Sequence, residues 1–93
     1  MGFFARFFPK KRFEDGSVLW PSGREHFTFV DQTGNRFEFD VLYTTSASNA
    51  VNTIVGSSIL TSNGTPVSSA IKAEILLKSE AYFTERGQQI VIA

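Results

Sequence analysis

Ninety-three residues suffice for one small domain, which buries only about 60–65% of its unfolded surface and leaves little room for an elaborate internal site. There is no cysteine, which excludes disulfides and thiolate metal sites, and an apolar fraction of 42% with 14% aromatics excludes an intrinsically disordered chain. Nine Lys/Arg balance nine Asp/Glu unevenly: the first thirteen positions hold four of the basic residues, five of the ten phenylalanines and no acid, so an arm of +4 is joined to a body of −4.

Within residues 1–13, Phe3, Phe4, Phe7 and Phe8 recur at i, i+1, i+4 and i+5, the spacing that places all four on one side of a short helix with Arg6 elsewhere on its circumference. Pro9 disfavours helical geometry at Phe8 and ends it. Burying four Phe side chains contributes roughly 6–12 kcal/mol, which the backbone entropy of about eight ordered residues, roughly 8–16 kcal/mol, nearly offsets. Such an arm is expected to be ordered only when docked. Phe3, Phe4, Phe7, Phe8 and Phe13 are its expected hydrophobic contacts, and Arg6, Lys10, Lys11 and Arg12 its steering charges. The Phe cluster is broken by Arg6 and followed by cations, the reverse of a secretory signal, and Arg6 stands where a myristoylation signal needs Ser or Thr. No stretch approaches about 20 apolar residues. The chain is therefore expected to act whole, in a virion or the cytoplasm.

Residues 14–24 are turn-rich, with Asp15-Gly16 and Pro21-Ser22-Gly23 around a short apolar Val18-Leu19-Trp20, and read as a connector to a single β-rich domain over 25–93. Trp20 is expected to pack inward at one end of the core. Phe27 and Phe29, then Phe37, Phe39, Val41 and Tyr43, occupy alternate positions on either side of 31–35, where Gly34 supplies a turn: a β-hairpin with one aromatic face and one face carrying Arg36, Glu38 and Asp40.

From Val41 to Ile71 there is no charged residue. Val51, Ile54 and Val55 lie at helical spacing behind Ser46 or Ser48 and before Gly56, which predicts a short helix over 48–55. Asn63-Gly64 predicts a hairpin joining 58–61 to 65–69, with Pro66 on an edge. Ile71, Ala73, Ile75, Leu77, Ala81 and Phe83 alternate with charged and polar residues, which predicts a long strand, followed by a turn over 85–88 and a terminal strand over 89–92. The fold class expected is mainly β, a sandwich or small barrel of mostly antiparallel hairpins with one short helix and an N-terminal amphipathic arm.

Catalytic machinery is not recognisable. The single histidine, His26, stands beside Glu25 where a strand sends neighbouring side chains to opposite faces, and no second histidine, phosphate-binding glycine loop or Gly-x-Ser-x-Gly accompanies it. Glu38 and Asp40 share a face with Arg36, the pattern of a solvated surface. No enzyme activity, cofactor or metal is expected.

An interface core is depleted of charge and rich in aromatics, properties that the uncharged tract and the arm supply. The composition also resembles that of small virion proteins: cysteine-free, β-rich, Ser/Thr/Asn-rich, with a terminal arm. The expected role is a structural assembly subunit of capsid, decoration or connector type, docking on copies of itself or on a larger assembly protein. Two alternatives share the arm. Aromatics followed by Lys10, Lys11 and Arg12 suit an anionic membrane surface, and the same cations between Phe8 and Phe13 suit weak, nonspecific nucleic-acid binding, against which the acidic body argues.

Overall fold

The computed structural model describes residues 10–46 and 49–93. In chain order the elements are β1 (Lys11–Arg12), β2 (Val18–Gly23), β3 (His26–Val30), β4 (Arg36–Ser46), β5 (Asn49–Ile54), a 3-10 turn (Gly56–Ser58), β6 (Leu60–Thr61), helix α1 (Ser69–Thr84) and β7 (Gln89–Ile92). The seven strands form one curled, mixed sheet in the order β1-β2-β3-β4-β5-β7, with β6 also on β4. The mainly-β expectation holds, with one α-helix among the described residues.

The aromatic hairpin lies where the alternation puts it. Phe27 pairs with Phe39 and Phe29 with Phe37. The Asp31 carboxylate accepts the N–H groups of Thr33 and Asn35 at 3.0 and 2.8 Å, and Gly34 takes φ 93°, closing the turn. The stretch read as a connector supplies β2, which pairs Leu19 with Phe29 and buries both Val18 and Leu19. Its short apolar run is long enough for a strand once an acceptor edge exists on β3.

Two elements exchange identities relative to the sequence reading. The predicted helix over 48–55 is strand β5, antiparallel to β4. Its β-branched Val51, Thr53 and Ile54 favour an extended chain, and Asn52 and Ile54 are buried on one face while Val51 and Thr53 lie on the other. Ser46, weighed there as an N-cap, is the last residue of β4, and Ser48 lies outside the described residues. Conversely, the predicted strand over 71–83 is α1. Ser68 caps it by accepting the Ile71 N–H at 3.3 Å, and Ala, Leu, Glu and Lys favour the helix throughout. Gly87, at φ 70°, ends it: its N–H donates to the Thr84 carbonyl and that of Gln88 to the Phe83 carbonyl, both at 3.0 Å. Apolar residues on both faces defeated the periodicity, for Ile75, Tyr82 and Phe83 face the core while Leu77 is 68% exposed.

The Asn63-Gly64 turn forms, with the Gly64 N–H donating to the Thr61 carbonyl at 2.8 Å. Its second arm is reduced to a single bridge between Leu60 and Pro66. The terminal strand β7 forms as predicted but pairs in parallel with β5, matching Thr53 with Val91, because α1 carries the chain across the sheet before it.

α1 packs on the aromatic face. Phe27 meets Tyr82 edge-on at 5.5 Å and Phe83 at 5.5 Å, and Phe29 stacks with Phe37 at 6.3 Å; such pairs each contribute about 0.5–1.5 kcal/mol beyond area burial. Burial pushes the Tyr82 hydroxyl up to about 12, against the opposing charge of Arg86. Among the described residues, Ser79 Oγ is buried with no hydrogen-bond partner. Ser79→Ala removes that unmet hydroxyl and is expected to hold or raise stability by up to about 1 kcal/mol; a clear fall in the thermal midpoint would show that the hydroxyl is satisfied in solution.

Candidate docking surface

Three groups of residues carry the surface chemistry: the root of the arm, the charged outer face of β3 and β4, and the uncharged end of the sheet formed by β4, β5 and β7.

At the arm's root the chain is fastened to the body. β1 pairs Lys11 with Leu19, Lys11 Nζ meets Glu85 Oε2 at 2.7 Å, and Phe13 packs against the core. Lys78 holds the next turn, since its ammonium donates to Asp15, to Ser17 Oγ at 2.8 Å and to Glu74 Oε2 at 2.9 Å, and lies 5.4 Å from the ring centres of both Phe13 and Phe29. Hydrogen bonds from Lys78 and then Ser17 hold the Asp15 carboxyl well below the usual carboxylate range. Partial burial pulls the Lys78 ammonium down, but its hydrogen bonds to Asp15 and Glu74 outweigh this and leave it raised. An open groove of about 450 Å³ runs between Arg12, Phe13 and α1.

The nine arm residues singled out from sequence therefore divide. Phe3, Phe4, Arg6, Phe7 and Phe8 lie outside the described residues. Lys11 and Phe13 are engaged by the body, Arg12 is exposed, and Lys10 Nζ stands 4.4 Å from the centre of the Trp20 ring. Trp20 does not pack inward as expected. Pairing with Thr28 sets it on the outer face of β2, half-buried, with Arg36 5.6 Å away on its other flank.

On that outer face His26 bridges two acids of the neighbouring strand, with Nε2 2.8 Å from Glu38 Oε1 and Nδ1 3.3 Å from Asp40 Oδ1. Arg36 Nε reaches Glu38 Oε2 at 3.7 Å. The sequence reading grouped Glu38, Asp40 and Arg36 but missed His26, although the hairpin register that it placed sets His26 opposite Asp40. The Glu38 hydrogen bond raises the imidazole above its ordinary value; desolvation opposes it and Asp40 assists. Among the described residues, no group of three His, Asp or Glu side chains is arranged to hold a metal ion.

The uncharged end is built by β4 outlasting its neighbour β3. Beyond Val41 the alternation continues, so Leu42, Thr53 and Val91 form a row on the outer face, and Thr44, Val51 and Gln89 a second. Leu42 is 41% exposed and Val91 52%. Tyr43 points to the core side and is 49% exposed, with α1 no longer above it. Asn52 beside it is buried, and its amide donates to Gln88 Oε1 at 2.8 Å.

Comparison with protein-family models, with curated proteins and with solved structures finds no match. Among the described residues no helix is long and apolar enough to cross a membrane.

The geometry makes two expectations measurable. A group whose folded pKa is raised contributes stability below its unfolded value and loses it as pH rises through the folded one. The thermal midpoint is therefore expected to fall as pH is raised from about 6.5, through the window that His26 governs, and His26→Gln to flatten that fall; an unchanged profile in the variant would exclude the bridge in solution. Phe13→Ala is expected to cost about 2 kcal/mol in denaturant unfolding.

Proposed function

We propose that this chain is a non-enzymatic assembly subunit that docks on neighbouring protein surfaces through its N-terminal arm and through the uncharged end of its sheet. The observation that carries this reading is the uncharged end itself: β5, β7 and the outer half of β4 expose Leu42, Tyr43, Val91 and Ile92 among Thr and Gln side chains, with no charge on any of the three strand segments. Hydroxyl and amide side chains are cheaper to desolvate than charges and can exchange water for hydrogen bonds across a contact.

The arm adds the second contact. Because Lys11 and Phe13 serve the body, the docking part begins before Lys10, with Phe3, Phe4, Phe7 and Phe8 as anchors and Arg6 and Arg12 as the cations available for steering. The net-acidic body of a second copy is a partner of fitting charge. A small virion subunit, of capsid, decoration or connector type, is the biological setting that the cysteine-free, Ser/Thr/Asn-rich composition suits, and it places the protein's action in a virion or the cytoplasm.

Light scattering tests the reading. The full chain is expected to form a particle heavier than the 10.3 kDa of one chain, and its mass is expected to fall when residues 1–9 are removed and when salt is raised. A monomer that sediments with anionic liposomes only when the arm is present would replace this reading with the membrane-surface one.

A further inference from the structure

We infer that the open edge of β4 over Val41–Ser46 is a strand-addition site whose occupant is the same edge of a second copy, joining two sheets into one. This deepens the assembly reading and rests on it. Along β4 the backbone groups alternate in direction. The Asp40 carbonyl accepts the Val55 N–H at 3.1 Å on the β5 side, whereas the Val41 N–H donates to the Glu25 carbonyl at 3.1 Å on the β3 side. β3 ends there. The N–H and C=O groups of Tyr43 and Thr45 consequently point to an edge that no strand covers among the described residues. An extended backbone supplies donors and acceptors at that spacing, so the chemistry of the edge selects a strand.

The edge also lacks the usual protection. Exposed strands are blunted by charges, proline, bulges or shortness. β1, at one margin of the sheet, is two residues long and both are cations, and β7, at the other, has four residues. Val41-Leu42-Tyr43-Thr44-Thr45-Ser46 is rich in strand-forming residues and contains no charge and no proline.

The absence of charge favours a second copy as the occupant. In a two-fold antiparallel pairing each segment meets itself, so a charge of either sign near the axis would face its own kind. Here nothing does, because the segment opens the 31-residue stretch from Val41 to Ile71 in which no residue is charged. The nearest charged residues, Glu25, His26 and Asp40, lie at the end where the chain entering β3 still occupies the edge.

The experiment is light scattering with amide hydrogen exchange on the full chain over a concentration series, beside Tyr43→Pro and Tyr43→Lys. The Tyr43 N–H points away from β5, so proline there removes an outward donor without breaking the β4–β5 ladder. Lysine places like charges on the axis. Both variants are expected to keep the thermal midpoint that the parent shows when dilute and to halve the mass that it reaches when concentrated, and the Tyr43 and Thr45 amides of the parent to gain protection as concentration rises. If Tyr43→Pro fails to fold, Tyr43→Lys decides alone.

A parent mass above one chain that both variants retain would overturn the edge pairing. Should that particle still dissociate on removal of residues 1–9, the assembly reading survives without it. Amides protected in a monomer would overturn the inference in favour of a strand from the same chain. A monomer at every concentration overturns it as well, and one that also sediments with anionic liposomes takes the assembly reading with it.

Discussion

The mismatch between β4 and everything that packs on it organises the molecule. At about 3.3–3.4 Å per residue, eleven extended residues reach roughly 37 Å, against the protein's longest dimension of 39 Å. α1, with sixteen residues at about 1.5 Å each, reaches only roughly 24 Å. One helix cannot roof the whole strand. The aromatic half, from Phe37 to Val41, receives β3 on one side, β6 on the other and α1 above, and there the buried cluster forms. Among the described residues the outer half keeps only β5. Asp40 marks the change: its N–H donates to Ser58 Oγ at 2.8 Å, its carbonyl accepts the Val55 N–H, and its carboxylate meets His26. Body and extension are pinned together at that residue.

How much of this was legible depended on whether one periodicity dominated locally. Between Phe27 and Tyr43 it did, and the centre at Thr33 sets the whole register, including the His26–Asp40 pair that went unread. In α1 two patterns compete. Ile75, Ser79, Tyr82 and Phe83 follow a helical face, but Ala73, Leu77 and Ala81 on the exposed side fill in an apparent alternation. Leu76, which breaks that alternation, carried the discriminating signal. In β5 the misleading spacing of Val51, Ile54 and Val55 was outweighed by a partner strand six residues deep in register. β propensity is largely a property of the neighbour, and no neighbour was visible from the segment itself. The arm's division between Lys10–Phe13 and the residues before it was equally invisible, because Glu85 and Lys78, which hold it, come more than sixty residues later.

The ion pairs fall into two groups, one on the outer face of β3 and β4 and one where α1 meets the arm's root. Lys78 is the pivot of the second: it pairs with both Asp15 and Glu74 while its ammonium lies over Phe13 and Phe29. A half-buried cation with two carboxylates, a hydroxyl and two aromatic faces is fully provided for, so the group fixes geometry more than it adds free energy. It holds the turn after β1 against the helix and so fixes the position of β1. Trp20, between Lys10 and Arg36 on the opposite face, does the same from the other side.

Sorting charge away from β5, β7 and the outer half of β4 has a physical consequence beyond binding. A free strand edge next to an apolar face is an aggregation hazard unless something limits its stickiness. Here no charge does so. The limit comes from composition instead: Leu42 and Val91 are separated across the sheet by Thr53, and Thr44 flanks Val51, so the apolar contacts are single side chains set among hydroxyls. Such a surface is weakly attractive in isolation and becomes strong only when the backbone edge and the side-chain rows are engaged together. Specificity then resides in register, since a slip of one residue would turn Leu42 and Tyr43 to the wrong faces. On the assembly reading proposed above, such an extension lets the chain remain a separate subunit until a partner strand meets it in register.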